Sequence, residues 1–214
     1  MSKFTVPPDC QIPGLAAIYE KYFSNRIGTF VEIGAFDGRT VSNTCGLADA
    51  SWTGYYVEAH PDFVKTCASN HKDNAKVQVY HAAIGDHVGM VDLYVVGECS
   101  STVWNQTTRD WGGDLDRKIS VPMTTLDLQL TCMGVWPKFE LLVIDVEGAE
   151  LAVLSGFTPQ RWLPRMVIIE THEKDNNQER NAKAAPITAF FEGAGYQKVH
   201  TDHINSIFVR EDRA

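Results

Sequence analysis

The chain lacks the cysteine spacing of a disulfide framework or a structural zinc site. Its five cysteines are scattered over 214 residues, their number is odd, and no two of them form a Cys-x-x-Cys pair. Disulfide-stapled folds and zinc modules depend on such pairs, so the pattern argues against both classes. It also favours a reducing compartment, and we expect a cytoplasmic protein.

Long apolar runs are missing as well. No stretch approaches the roughly 20 residues that a membrane-spanning helix needs. The first residues run into Pro7 and Pro8 without the apolar segment of a signal peptide. We therefore expect a soluble intracellular protein without a membrane partner.

Positive charge is scarce relative to negative charge. The chain has 19 Lys and Arg against 27 Asp and Glu, a formal net charge of -8 and a pI near 5.3. Nucleic-acid partners select a basic face, so none is expected, and a small or neutral substrate suits this balance better. With 44% hydrophobic residues, the length suffices for one core and is short for two. We predict a single domain over 1–214, with a lead-in segment over 1–27 and a catalytic core over 28–210.

Short apolar strands alternate with helical stretches along most of the chain. This order predicts an α/β fold with a doubly wound, mainly parallel sheet. The predicted strands cover 29–33, 55–58, 77–80, 141–145 and 166–170, and the predicted helices cover 12–23, 40–50, 61–71, 150–156 and 186–194.

Three segments depart from the alternation. Residues 90–96 predict a strand of an inserted hairpin, and the polar connection over 97–118 carries Trp104 and Trp111. That connection is either a lid over the site or a surface loop anchored by its tryptophans. A charged linker covers 174–183, and strands over 196–200 and 204–210 are too close for an intervening helix, which predicts an antiparallel hairpin at the sheet edge.

The turn after the first strand, Glu32 to Gly38, indicates the cofactor. A dinucleotide fingerprint requires Gly-x-Gly-x-x-Gly, but Phe36 takes the place of the second glycine and two carboxylates flank the turn. Carboxylates repel a pyrophosphate and attract the sulfonium and ammonium of S-adenosylmethionine. Glu58, at the end of the second strand, suits the hydroxyls of a ribose in either cofactor.

Several segments together resemble the FkbM family of class I methyltransferases. They are FVEIGAFDG (30–38), YYVEAHP (55–61), HAAIGD (81–86), the pair Ser100-Ser101, Thr125-Leu126-Asp127 and LLVIDVEGAE (141–150). The resemblance covers about 28–172, and Ile144 to Glu150 is its most specific part. Val143 stands where the family usually has a lysine.

The resemblance implies a seven-stranded sheet with a reversed last strand, helices on both faces and S-adenosylmethionine at the carboxyl ends of the first strands. It also implies O-methylation of a hydroxyl, often on a sugar or small metabolite. By the same resemblance, Glu58 would contact the ribose of the cofactor, and Ala83 and Ile84 would contact its adenine. The methionine part would be surrounded by Glu32, Gly34, Phe36, Asp37 and Gly38. The full set of expected cofactor residues is Glu32, Gly34, Ala35, Phe36, Asp37, Gly38, Glu58, Ala59, Ala83 and Ile84.

A second group of polar residues follows two later strands. Asp145 and Glu170 end strands that should be neighbours, so their carboxylates are expected to face each other, and His172 follows two residues later. Either Asp145 or His172 is a general base, or the three residues hold a divalent metal that acidifies the acceptor hydroxyl. The structural alternative is that Asp145 and Glu147 only cap the next helix.

Two other functions compete with methyl transfer. A nicotinamide-dependent oxidoreductase would use the same sheet, but it needs the glycine fingerprint that is missing here. A binding module that retains the cofactor site without turnover is compatible with every motif above.

Overall fold

The computed structural model describes Phe4, Val6, Cys10 to Ser24 and Arg26 to Arg210. Pro7 and Pro8, on which the expectation about a signal peptide rested, lie outside these residues. The helices are α1 (Leu15–Phe23), α2 (Cys45–Asp49), α3 (Pro61–Asn70), α4 (Gln106–Asp110), α5 (Leu126–Cys132), α6 (Glu150–Ser155), α7 (Pro159–Trp162), α8 (Gln178–Asn181) and α9 (Ala184–Gly193). The strands are β1 (Thr29–Ile33), β2 (Thr53–Glu58), β3 (Val77–His81), β4 (Ala83–Gly85), β5 (Gly89–Tyr94), β6 (Lys118–Thr125), β7 (Leu141–Ile144), β8 (Met166–Glu170), β9 (Gln197–Thr201) and β10 (Asn205–Val209).

Seven strands form one sheet in the order β3-β2-β1-β7-β8-β10-β9. The strands from β3 to β8 in this order are paired in parallel, and β10 runs antiparallel to both β8 and β9. The apolar strands β7 and β8 are buried along their whole length because helices cover both faces of the sheet. The predicted fold class, including the reversed last strand and the terminal hairpin, is confirmed.

Alternate residues of the central strands pack into two cores. Val31 and Ile33 lie with residues of α5, α6 and α9, whereas Phe30 lies with residues of α1 and with Trp52. This division follows from the two-residue period of a strand. Val143, which stands in place of the lysine usual in the family, is buried in the second core.

A second sheet of three strands, in the order β4-β6-β5, lies beside the main one. Strand β5 pairs antiparallel with β6, so the predicted inserted hairpin exists, and β4 pairs parallel with β6. The connection over 97–118 contains the short helix α4. Strand β6 was not predicted, since its mixture of exposed and partly buried residues gives no clean alternation.

Helix α2 begins at Cys45, five residues later than predicted. The Asp37 carboxylate accepts hydrogen bonds from the backbone amides of Arg39 and Thr40, and Val41 has a φ of 48°. These features keep the chain after β1 irregular, so the predicted helix over 40–50 was too long. The charged linker over 174–183 contains the short helix α8. None of the described helices has the length and apolar character needed to cross a membrane.

Candidate active site

The carboxyl ends of β1, β2, β7 and β8 border a cavity of about 270 Å³. Asp145, Glu170 and His172 line it, together with every expected cofactor residue except Asp37 and Gly38. Strands β1 and β7 are direct neighbours, and β7 pairs with β8. The sheet order therefore brings the turn after β1 and Asp145, more than a hundred positions apart in sequence, into one cavity.

Gly34 permits this arrangement. Its φ is 82°, and a Cβ built on it would lie 1.6 Å from the backbone oxygen of Asp145. Its amide donates to the carbonyl of Val57, 2.9 Å away, while the Asp145 amide donates to the carbonyl of Ile33 at the same distance. Only glycine allows the turn after β1 to approach the end of β7 so closely.

Glu58 is held by the backbone of the same turn. Its Oε2 accepts from the Phe36 amide at 2.9 Å, and its Oε1 accepts from the His60 amide at 2.7 Å. Burial raises the pKa of Glu58 to about 6, although these hydrogen bonds oppose the rise. The carboxylate is thus fixed at the cavity wall, where it can accept a hydrogen bond from a ligand hydroxyl.

Asp37 and Gly38 shape the turn and lie off the cavity. Besides its two amide bonds, the Asp37 carboxylate accepts from the Thr40 hydroxyl at 2.7 Å. Gly38 faces α3, where an added Cβ would meet Cys67 and His71 within 3 Å. The acidity that favours a sulfonium therefore lies in Glu32 and Glu58, whose side chains do line the cavity.

Glu32 is buried beneath the cavity. Its Oε2 accepts a 2.5 Å hydrogen bond from the Thr44 hydroxyl, which in turn lies 3.1 Å from the Tyr56 hydroxyl. Burial raises the pKa of Glu32 to about 7, with the Thr44 hydrogen bond opposing it. A positive ligand group would restore the charged form of this carboxylate.

Lys183 joins the start of α6 to the end of β8. Its Nζ lies 2.6 Å from Glu150 Oε2 and 2.9 Å from Glu170 Oε2. The other oxygen of Glu170 contacts His172 Nε2 directly. Sequence reasoning missed Lys183, because it lies in a charged linker and only the fold brings it to Glu170.

Opposing effects act on Glu170. Burial alone would raise its pKa, but the Lys183 ammonium and the contact with His172 outweigh it and hold the pKa below its usual range. Glu170 is consequently an ionised group that orients His172 and a poor proton acceptor.

The pKa of the Asp145 carboxylate, unlike that of Glu170, is raised. No residue of the described part of the chain donates a hydrogen bond to it, and burial, with the charges of Glu170 and Glu150, raises its pKa well above the usual range. Glu150 instead caps the loop after β7, accepting from the amides of Val146 and Gly148. No side chain of the described residues caps α6 by a hydrogen bond, so neither Asp145 nor Glu147 has the capping role considered for them.

The metal alternative gains no support from this geometry. Within the described residues, no group of three or more His, Cys, Asp or Glu side chains is arranged to hold a metal ion. Glu170 faces Lys183 with one oxygen and His172 with the other, so it presents no free oxygen toward Asp145.

The comparisons with known proteins agree with this site. Residues 32–198 match the methyltransferase FkbM domain. The chain belongs to the FkbM methyltransferase family. No curated protein matches it significantly.

Solved structures support the fold of this FkbM methyltransferase. An FkbM methyltransferase from Methylobacillus flagellatus KT has 15% identity and a TM-score of 0.55 over 86% of this chain and 43% of its own. A precorrin-6y C5,15-methyltransferase from Geobacter metallireducens GS-15 has 11% identity and a TM-score of 0.50 over 97% of this chain and 94% of its own. Monomeric WbdD has 12% identity and a TM-score of 0.52 over 94% and 41%. The chain thus spans less than half the length of the first and third of these proteins.

The connection after β5 packs against the site of this FkbM methyltransferase. Asn105 Nδ2 donates to the Glu147 carbonyl at 2.6 Å, and Asn105 also caps α4. Farther along, Arg109 pairs with Glu179 of α8 at 2.7 Å. Trp111, which follows α4, lines the cavity while remaining 59% exposed. The connection therefore forms a wall of the cavity.

Proposed function

We propose that this FkbM methyltransferase transfers a methyl group from S-adenosylmethionine to a hydroxyl of a small metabolite or sugar. The observation that carries the proposal is the single cavity that joins Glu32 and Glu58 to Asp145 and His172. One half suits the donor and the other half suits an acceptor whose hydroxyl must lose a proton.

The donor half fits S-adenosylmethionine by the chemistry of its walls. Among the described residues that line the cavity there is no Lys or Arg to meet a pyrophosphate, whereas Glu32 and Glu58 suit positive groups and ribose hydroxyls. The residues that would hold it are Glu32, Gly34, Ala35, Phe36, Glu58, Ala59, Ala83 and Ile84. When bound, it supplies a methyl group activated by a positively charged sulfur.

The protein's task in such a reaction is to align the acceptor and remove its proton. The acceptor oxygen forms a bond to the methyl carbon as the sulfur-carbon bond breaks, and the hydroxyl proton passes to a base. We assign the base to Asp145, since no described residue hydrogen-bonds its carboxylate and its raised pKa makes it a better proton acceptor than an ordinary aspartate. His172, oriented by Glu170, would contact the acceptor hydroxyl.

Titration of the purified protein tests the donor assignment. S-adenosylmethionine and S-adenosylhomocysteine should bind and NAD should not. Glu58→Gln should weaken S-adenosylhomocysteine binding about tenfold because two ribose hydroxyls lose their ionised acceptor. The matched control is Glu192→Gln, which removes the same charge from an exposed position on α9. Tight NAD binding, or equal affinity in both variants, would reject the assignment.

A panel of hydroxylated sugars and metabolites, read out as S-adenosylhomocysteine formation, tests turnover. Asp145→Asn should lower kcat about 100-fold, as expected for loss of a general base, and a chelator should leave the rate unchanged. Full activity of Asp145→Asn would reject the base, and loss of activity with the chelator would reject direct base catalysis. Cofactor binding without any turnover would favour a binding module.

We also propose a single-domain protein of a reducing, cytoplasmic compartment. The free cysteines of the described residues support this, since Cys45, Cys67 and Cys99 are buried thiols without a disulfide partner.

A further inference from the structure

The charged side chains that line the cavity are mainly acidic. Six carboxylates line it, and among the described lining residues there is no Lys or Arg. They are Glu32, Glu58, Glu98, Asp145, Glu147 and Glu170. Lys183 lies behind Glu170, and its ammonium is shared between two carboxylates, so it leaves no positive charge for the cavity.

The carboxylates divide according to the strands that carry them. Glu32 and Glu58 lie on β1 and β2, in the donor half of the cavity, whereas Asp145 and Glu147 follow β7 and Glu170 ends β8. Glu98 lies on the connection after β5, next to Cys99, which also lines the cavity. The last four carboxylates add to the rise that burial causes in the pKa of the Cys99 thiol. The end of the cavity beyond the donor is therefore acidic in its own right.

Two carboxylates beside β7, Asp145 and Glu147, lack partners among the described residues. Neither Asp145 nor Glu147 has a hydrogen bond or an ion pair with its carboxylate from any residue in the described part of the chain. Burial is the largest cause that raises the pKa of each, followed by repulsion from Glu170. Partly buried carboxylates without partners are costly, and a positive ligand group reduces that cost.

An aromatic wall at the same end also suits a cation. Trp111 lines the cavity and is largely exposed, so a ligand in the cavity can reach its indole. An indole attracts a cation more strongly than any other aromatic side chain. Thr102 and Thr107 also line the cavity, and their hydroxyl groups can bind the polar remainder of a small molecule.

We propose that this acidic end selects an acceptor that carries a protonated amine in addition to the hydroxyl that is methylated. The proposal rests on the methyl-transfer function given above. Glu98 and Glu147 bind the amine, and acceptors with a carboxylate or phosphate at that position are rejected. Even in a medium as polar as water, a unit charge about 6 Å from one carboxylate makes the difference between amine and acid about tenfold.

The test uses the protein saturated with S-adenosylhomocysteine, in the presence of EDTA, and two matched sets of hydroxyl compounds. One set is glucosamine, glucose and glucuronate, and the other is tyramine, 4-hydroxyphenylacetamide and 4-hydroxyphenylacetate. Isothermal titration should show, in at least one set, that the amine binds about tenfold or more tightly than the acid, with the neutral compound between them. Glu98→Gln and Glu147→Gln should reduce this ratio severalfold, whereas Glu192→Gln should not change it.

Failure of this proposal is distinguishable from failure of the function. If S-adenosylhomocysteine itself does not bind, both the amine-bearing acceptor and the methyl-transfer function are rejected. If it binds but no amine binds better than its neutral and acidic partners, the amine-bearing acceptor is rejected and the methyl-transfer function stands. The same rejection follows if the preference is unaltered in both cavity variants.

Discussion

Replacement of Lys183 by methionine tests the central ion network. The change keeps the length of the side chain and removes the ammonium that lies 2.6 Å from Glu150 and 2.9 Å from Glu170. The side chain of Lys183 is 10% exposed, and those of its partners are 0% and 3% exposed. Water therefore cannot replace the lost charge, and two buried carboxylates lose the ammonium that they share.

The expected cost follows from this burial. Removing one partner of a buried ion pair costs about 3–5 kcal/mol, because the remaining charge stays desolvated. Since one ammonium here serves two carboxylates, we expect Lys183→Met to lower the free energy of unfolding by at least about 3 kcal/mol at pH 8. A typical domain has only about 5–15 kcal/mol in total, so the loss is readily measured.

The cost should depend on pH in a defined direction. Burial opposes the ionisation of Glu170, but Lys183 and His172 hold its pKa below the usual range. A depressed pKa in the folded state contributes stability above the pKa of the unfolded chain, and this stability is lost as pH falls through the folded pKa. Without Lys183, the carboxylates bind protons in the folded state, so the penalty should be smaller at pH 5 than at pH 8.

Urea unfolding followed by tryptophan fluorescence measures these differences. Lys183→Arg keeps the charge and should cost less than Lys183→Met. Lys65→Met, which breaks the exposed pair with Asp62, should cost far less than Lys183→Met, because water screens that pair. The reasoning is refuted if Lys183→Met costs no more than Lys65→Met, or if its cost is the same at pH 5 and pH 8.

Two further predictions concern the donor half of the cavity. Gly34→Ala should lower the free energy of unfolding by at least about 3 kcal/mol, because the strain at positive φ is joined by a collision with the Asp145 carbonyl. Gly134→Ala, with a φ of 71° and open space around it, should lower it by only about 1–2 kcal/mol. Equal losses in urea unfolding would contradict the contact between Gly34 and Asp145. The affinity for S-adenosylmethionine should fall as pH drops from 8 to 5.5, because the buried carboxylates Glu32 and Glu58, with pKa values near 7 and 6, become protonated and no longer attract its positive groups. Glu32→Gln should flatten this dependence in titrations, and a flat or rising affinity in the wild-type protein toward low pH would oppose the proposed role of the carboxylates.

The strands and their parallel arrangement were predictable from the sequence alone. Buried parallel strands such as 141–144 are continuous apolar runs, and this local pattern needs no knowledge of distant residues. Asp145 and Glu170, at the ends of two such strands, were predicted to lie beside each other at one edge of the sheet, and β7 and β8 are indeed paired. The glycine spacing and acidity of the turn after β1 likewise depend on neighbouring residues only.

Contacts between distant residues were decided by the tertiary structure. The approach of Gly34 to Asp145 exists because β1 and β7 are neighbours, although they are far apart in sequence. Lys183 looks like any solvated lysine of a charged linker until α9 places its ammonium between Glu150 and Glu170. Strand β6 is half exposed and gains its partners from β4 and β5, so local propensity could not reveal it. The sequence by itself thus determined the fold class and the positions of the turn after β1 and of Asp145. The tertiary structure determined the ion pairs of Lys183 and the cavity wall formed by the connection after β5. The reason is that periodicity is a local property, whereas the pairing of buried charges depends on which elements the fold places side by side.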